Sequence, residues 1–120
     1  LNLRWILDAC ASVDEPCPSL RAIGGGAVSD VWLSILADVT GRPVQRIAHP
    51  MRAGAVGSAL VAAIAAGSIP SVRATQELAR VERRFEPSAR NAPVYREAYE
   101  VFRELHGPLS RAGRLVRGGT

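Results

Sequence analysis

Lysine is absent from this chain of 120 residues, in which all 15 basic side chains are arginine. The absence excludes the phosphate-binding loop of the G-x-x-x-x-G-K-[ST] type, because that loop needs a lysine beside the phosphates. Cysteine is scarce as well: Cys10 and Cys17 are the only two, at a spacing that no zinc-site pattern has. We therefore expect no metal site and two reduced thiols, which indicates a cytoplasmic protein.

Long apolar runs and aromatic side chains are also few. The most apolar stretch, residues 53–66, is shorter than the roughly 20 residues that a bilayer-spanning helix needs, so the sequence predicts no membrane span. Aromatic residues make up 5% of the chain, which predicts a core of small aliphatic side chains. The basic tail, residues 103–120, has no aromatic rings for base stacking, so we interpret it as a solvated helix and expect no nucleic-acid partner.

The chain contains a single methionine, Met51, and its first residue is Leu1. We therefore expect it to be a piece of a longer protein. Within this piece, 48% of the residues are apolar and 22% are charged, which are the proportions of a folded domain rather than of a disordered chain.

Apolar periodicity predicts the first helices. Positions three and four residues apart predict one helix around residues 3–10 and a second with its apolar face at Trp32 to Val39. Ser29 is the predicted N-cap of the second helix, and Gly41 is the glycine that ends it. A third helix, over residues 53–67, is apolar on nearly every face, so we expect it to be buried between other elements.

Two short segments, LRAI at residues 20–23 and VQRI at residues 44–47, predict strands that alternate with these helices. The alternation predicts an α/β architecture with parallel neighbouring strands. A short helix near residues 72–80 and the polar stretch VERRFEPSAR, residues 81–90, come next. We expect a long final helix to begin near Asn91, with a kink or break at Gly107 and Pro108.

One segment suggests chemistry, RAIGGGAVSD at residues 21–30. A strand that ends in glycines and opens a helix offers bare backbone N–H groups and the positive end of the helix dipole, so a nucleotide can approach closely. A tight turn that needs a positive φ explains the same glycines equally well. Both interpretations stay open from the residues alone.

The dinucleotide fingerprint G-x-G-x-x-G/A is met only as Gly24-x-Gly26-x-x-Ser29. The second predicted strand ends without the carboxylate that holds a ribose hydroxyl in that class of site. Either Arg46 or Arg52 could instead serve a 2′-phosphate, so an NADP-binding module stays an alternative.

A combination of motifs runs through residues 20–67. It comprises a GGGA-x-S turn at Gly24 to Ser29, a W-x-x-I-x-A-D helix at Trp32 to Asp38, a G-x-P-V strand at Gly41 to Val44 and an A-x-G-x-A helix at Ala55 to Ala59. Aromatic and apolar positions of the closing helix continue it, at Phe85, Tyr95, Tyr99, Phe102 and Leu105. In this combination the chain resembles the C-terminal domain of FGGY-family carbohydrate kinases, in particular their xylulokinase-like branch.

The resemblance implies part of an actin-like ATPase fold of the ribonuclease H type, with ATP bound between two domains. Residues 1–120 would form the C-terminal segment of the second, ATP-binding domain, and the first, sugar-binding domain would be absent from this chain. Carried over by position, the residues that lie against the adenosine would be Gly25, Gly26, Ala27 and Asp30, with Gly24 and Ser29 in support. Asp30 stands where many relatives carry an asparagine near the adenine.

The resemblance further implies an ATP-dependent kinase that phosphorylates a ketose such as xylulose, with Mg²⁺. The family's catalytic aspartate belongs to the other domain and no aspartate here matches it, so we expect no catalytic residue in this chain and no activity of the chain alone. The expected partners are ATP, a sugar and the rest of the kinase, and a homodimer is left open. A nucleotide- or NADP-binding α/β module and a non-enzymatic interaction fragment remain the alternatives.

Overall fold

The computed structural model describes residues 1–11, 17–78 and 80–117. The loop predicted between the first helix and the first strand lies largely outside these residues. Four α-helices and three strands follow one another along the described chain: α1 (Asn2–Ala11), β1 (Leu20–Ala22), α2 (Asp30–Thr40), β2 (Val44–Ile47), α3 (Ala53–Ala65), β3 (Val81–Phe85) and α4 (Ala92–Arg117). Short 3₁₀ segments lie at Gly25–Val28, Pro50–Arg52 and Arg73–Leu78.

The described strands form one sheet in the order β1-β2-β3. Strands β1 and β2 are parallel, with Leu20 opposite Val44, which confirms the predicted α/β alternation. Strand β3 pairs antiparallel to β2, with Phe85 opposite Val44. Sequence patterns did not predict β3, because three of its five residues are charged and only Phe85 is buried.

Helix α2 is built as its sequence predicts at both ends. The Ser29 hydroxyl accepts a hydrogen bond from the Trp32 backbone N–H at 3.2 Å, and Gly41 ends the helix in the left-handed conformation with φ 65°. The predicted apolar face, Trp32 to Val39, is confirmed at Val39 but not at Trp32. The buried residues are Leu33, Ala37 and Val39, whereas Trp32 is 50% exposed.

The small core lies between α2 and the sheet. It consists of Leu33, Ala37, Val44 and Phe85, and Leu20, Ala22 and Leu36 pack against it. Leu33 and Ala37 are 0% exposed and Val44 is 1% exposed. Aliphatic side chains dominate this core, as the low aromatic content predicts.

Helix α3 differs from its prediction. It forms over the expected residues, but none of its residues is buried among the described part of the chain, and Val61 is 66% exposed. An apolar helix needs a neighbour on each face to be buried. The described residues supply contacts mainly at its N-terminal end, through the Pro50–Arg52 segment.

Helix α4 packs against α1 and α2 with its N-terminal half. The buried Tyr99 hydroxyl donates to Asp8 Oδ2 at 2.8 Å, and Trp5 lies edge-on to Phe102 with 6.1 Å between ring centroids. Burial and the hydrogen bond to Asp8 raise the pKa of Tyr99 above its ordinary value. Of the predicted kink or break at Gly107 and Pro108, the break is absent, because α4 continues through both residues.

The start of α4 is fixed by Asp38, the last residue of the helix motif identified in the sequence. Its Oδ1 accepts a hydrogen bond from the Ser88 backbone N–H at 2.6 Å, and its Oδ2 accepts one from Asn91 Nδ2 at 2.7 Å. Asp38 therefore joins α2 to the chain that enters α4, which is a structural role.

Candidate functional site

The glycine turn predicted from the sequence connects β1 to α2. Gly24 has φ 79° and ψ −168°, a conformation that is essentially restricted to glycine. Its backbone N–H donates to the Pro50 carbonyl at 2.9 Å, so the turn is held against the 3₁₀ segment that precedes α3. The turn is therefore a fixed part of the sheet edge.

The next two residues, Gly25 and Gly26, present open backbone N–H groups. Within the described chain neither N–H has a hydrogen-bond acceptor, whereas the following N–H, of Ala27, donates to the Gly24 carbonyl at 3.1 Å. Both glycines are exposed and carry no side chain, while Ala27 is buried and anchors the turn. The turn can therefore donate two hydrogen bonds to a polar ligand that approaches the backbone closely.

Two side chains flank this surface. A Cβ atom added to Gly26 would lie 3.3 Å from Cδ1 and Nε1 of Trp32, and one added to Gly25 would lie 3.9 Å from the Met51 sulfur. Trp32 was predicted to lie on the apolar face of α2, but half of it is exposed beside the turn. A ligand at the glycines would therefore meet an indole ring and a thioether, both of which suit a flat or apolar group.

Asp30, the fourth predicted contact residue, is held by arginines of the sheet. Its Oδ1 accepts a hydrogen bond from Arg46 Nη1 of β2 at 2.6 Å, and its Oδ2 accepts one from Arg83 Nη1 of β3. The aspartate side chain is 47% exposed, so solvent weakens the pairing. The two contacts attach the first turn of α2 to the sheet.

Arg46 is largely buried, with its side chain 15% exposed. Its Nε lies 3.3 Å from Glu82 Oε2, which is within ion-pair distance, but the two atoms do not form a well-directed hydrogen bond. Because Arg46 already pairs with Asp30 and Glu82, its side chain is poorly placed to receive the 2′-phosphate of NADP.

The turn lies beside a cavity of about 330 Å³ that Gly26, Ala27 and Trp32 line. A larger cavity of about 570 Å³ lies between the strand ends and α3, where Ile23, Ile47 and Val56 form apolar walls. Four basic side chains line the larger cavity: Arg21, His49, Arg52 and Arg80. Of these only Arg52 was weighed from the sequence, because no motif marks the others.

The structure thus brings Gly25, Gly26 and Ala27 together and turns the Asp30 carboxylate toward the sheet arginines. Ser29 supports the turn as the N-cap of α2. Among the described residues there is no group of three histidine, cysteine, aspartate or glutamate side chains placed to hold a metal ion. Both cysteines are free and exposed. No helix in the described part of the chain has the length and apolar character to cross a membrane.

Comparisons with known proteins fit this geometry. The family model for the C-terminal domain of the FGGY family of carbohydrate kinases matches residues 1–66, which is more than half of the chain. The chain is 38% identical to autoinducer-2 kinase of Salmonella choleraesuis over 84% of its length, and 30% identical to xylulose kinase of Staphylococcus epidermidis over 73%. The chain therefore belongs to the FGGY family of carbohydrate kinases, as its motifs indicated.

Solved structures confirm the predicted fold. The xylulose kinase of Rhodospirillum rubrum superposes over 92% of this chain with a TM-score of 0.71 and 33% sequence identity. The fold is thus part of an actin-like ATPase domain, with a three-stranded sheet and a long C-terminal helix. This chain spans 22% of that structure and 18% of the length of each of the two curated relatives.

Proposed function

We propose that this chain supplies the adenosine-binding part of an ATP-dependent kinase that phosphorylates a ketose such as xylulose. The chain would be the C-terminal segment of the kinase's ATP-binding domain, with the sugar-binding domain supplied by the rest of the protein. A cytoplasmic location goes with this proposal, because two exposed free thiols are typical of a reducing compartment.

The observation that carries the proposal is the pair of open N–H groups at Gly25 and Gly26, beside an exposed indole ring. Adenosine has a flat base that can lie against Trp32 and ring nitrogens and ribose oxygens that can accept backbone hydrogen bonds. The neighbouring N-terminus of α2 adds a positive electrostatic potential. The family to which the chain belongs transfers phosphate to carbohydrates, so a nucleotide is the ligand in keeping with this turn.

Magnesium belongs to the proposed reaction, in which it would neutralise charge on the phosphates of ATP. The described residues do not fit a metal site, because they place no cluster of suitable ligands together. We therefore assign the metal contacts and the acid–base chemistry to the rest of the kinase. The role of this chain is to bind and orient the nucleoside.

The loose packing of this chain supports the proposal that the kinase contains further chain that packs against it. The Cα radius of gyration is 18.5 Å, whereas a compact domain of this length would have about 14 Å. Among the described residues, strand β1 has a strand neighbour on one side only, and α3 has no buried residue. More chain packed against β1 and α3 would bury both surfaces.

Nucleotide titration tests the proposal. The Trp5→Phe variant leaves Trp32 as the only tryptophan, so its fluorescence reports directly on the glycine turn. We expect ATP to change this fluorescence and to give a binding isotherm by calorimetry, whereas NADPH gives none. Gly26→Val should lower the affinity for ATP about tenfold or more, because the new methyl groups occupy the space beside Trp32.

Gly107→Val is the matched control, since Gly107 has open space around it and lies on α4. This variant should bind ATP as the parent chain does. Equal affinities of the Gly26→Val and Gly107→Val chains would contradict the proposal, and tighter binding of NADPH would favour the dinucleotide alternative. Phosphorylation of xylulose by the 120-residue chain alone would refute the division of labour between this chain and the rest of the kinase.

A further inference from the structure

The larger cavity, between the strand ends and α3, is lined by basic side chains and by no described acidic one. Its basic residues come from four separate segments: Arg21 from β1, His49 from the turn after β2, Arg52 from the 3₁₀ segment before α3, and Arg80 from the position before β3. None of the four side chains has a hydrogen-bond or ion-pair partner within the described chain. The three arginines therefore bring positive charge that the described residues leave uncompensated.

The acidic residue beside this group, Glu82, is already paired. Glu82 lines an adjoining cavity together with His49 and Arg80. Its Oε2 lies 3.3 Å from Arg46 Nε, whereas the described chain shows no ion pair between Glu82 and Arg80. The charge of Arg80 is thus left available to a ligand.

Backbone hydrogen bonds hold the basic residues at one edge of the sheet. The Ala48 N–H donates to the Arg80 carbonyl at 2.8 Å, and the Arg52 N–H donates to the His49 carbonyl at 2.9 Å. His49 has φ 53°, a left-handed conformation that is uncommon for residues with a side chain and that is concentrated at functional sites. The edge is the carboxyl end of the parallel strands β1 and β2, where open α/β sheets bind their ligands. The basic side chains therefore stand on a backbone that is fixed before a ligand arrives.

The chemistry of the lining selects a ligand with two parts. The walls include the apolar residues Ile23, Ile47, Val56 and Leu60, which suit an organic body. Arginine binds phosphate through paired, charge-assisted hydrogen bonds, and a phosphate monoester carries between one and two negative charges at neutral pH. A carboxylate would bring a single charge to three arginines, so a phosphate group matches the cavity better.

We propose that the larger cavity binds a phosphate group that is attached to an organic body. Arg21, Arg52 and Arg80 donate to the phosphate oxygens, and the organic body lies against Ile23 and Val56. The phosphate group belongs either to a separate small molecule or to a nucleotide. The proposal does not depend on adenosine binding at the glycine turn, since the residues that line the larger cavity do not include Gly25, Gly26 or Trp32.

Isothermal titration calorimetry of the chain with phenyl phosphate tests the site. We expect one binding event per chain, weaker binding of inorganic phosphate, which lacks the organic body, and no binding of phenol, which lacks the charge. Arg52→Gln and Arg80→Gln should each weaken the binding of phenyl phosphate about tenfold, because each removes a charge-assisted donor.

Arg90→Gln is the matched control, because Arg90 is an exposed arginine outside the lining of the cavity. This variant should bind phenyl phosphate as the parent chain does. Absence of binding to the parent chain would overturn the proposal. A loss in Arg90→Gln as large as that in Arg52→Gln would show general attraction to a basic chain, and would overturn it as well.

A carboxylate placed in the cavity provides a second test. Val56 lines the cavity and Val61 does not, and the two residues lie on α3 at 51% and 66% exposure. Val56→Asp should abolish the binding of phenyl phosphate by repulsion, whereas Val61→Asp should leave the dissociation constant unchanged. Circular dichroism checks that both variants keep the fold of the parent chain. Unchanged binding by folded Val56→Asp would contradict the proposed location.

Competition identifies the source of the phosphate group. Displacement of phenyl phosphate by ATP but not by adenosine would assign the cavity to the phosphates of the nucleotide. Simultaneous binding of ATP and phenyl phosphate would assign it to a separate molecule, and either result supports a phosphate site. Displacement by adenosine as well would show that the aromatic ring of phenyl phosphate binds at the glycine turn, and would overturn the proposal.

Discussion

Helices α2 and α3 both follow a parallel strand and are both rich in apolar residues, yet they are held very differently. Helix α2 has a capping serine at its start, a left-handed glycine at its end and two sheet arginines on its first residue. Within the described part of the chain, helix α3 has no side-chain cap and no buried residue. The better-held helix is the less apolar one, so composition alone does not decide burial.

The difference comes from what lies beneath each helix. Helix α2 covers the face of the sheet where Val44 and Phe85 point, and these residues close over Leu33 and Ala37. Beneath α3 the described chain leaves the cavity of about 570 Å³ between the helix and the strand ends. The turn of Gly24 to Ala27 leads into α2, the helix that packs on the sheet, and this packing keeps the N–H groups of the turn in place.

The same leucine truncation should therefore have very different effects in the two helices. Leu33→Ala removes a side chain that is 0% exposed and should lower the free energy of unfolding by about 3 kcal/mol. Leu60→Ala, in the half-buried wall of the larger cavity, should lower it by less than about 1 kcal/mol, since part of its surface already faces water. Urea denaturation followed by circular dichroism measures both values.

Equal losses in the two variants would contradict the contrast between the helices. They would mean that α3 is packed in solution as firmly as α2. An unfolding transition too broad to fit for the parent chain would also count against a cooperative core around Leu33.

Glycine-to-alanine changes should have smaller effects on stability, and the sign of the effect should differ between the two helices. Gly41 ends α2 with φ 65°, so Gly41→Ala should cost about 1 kcal/mol of stability through backbone strain. Gly57 lies inside α3 with open space around it, so Gly57→Ala should stabilise the chain by about 0.5–1 kcal/mol. Thermal unfolding of the two variants beside the parent chain measures the difference. Destabilisation by Gly57→Ala would show that α3 has a close neighbour at that residue.

The sequence predicted the elements where local chemistry is strong. Ser29 and Gly41 define the ends of α2, and two short strand segments define β1 and β2, because caps and strand patterns act over a few residues. Strand β3 escaped prediction because its stability comes from pairing with β2, and its charged side chains hide the pattern. Trp32 was wrongly placed on the covered face of α2 because apolar residues nearly surround this helix, so only the sheet decides which of them are covered.

The candidate site was predictable to the same extent. The glycine turn is a continuous segment, and its residues lie together as expected. The partners of Asp30 could not be foreseen, because Arg46 and Arg83 are distant in sequence and reach it only after the sheet has formed. The basic rim of the larger cavity is likewise assembled from separate segments, and no local pattern marks it.

The most direct test of the account is a map of backbone amide shifts in the ¹⁵N-labelled chain during titration with ATP. The account predicts the largest changes at Gly25 and Gly26, whose N–H groups are open, with smaller changes at Trp32. Changes confined to the larger cavity, at His49 and Arg52, would place the nucleotide beneath α3 and contradict the assignment of the glycine turn.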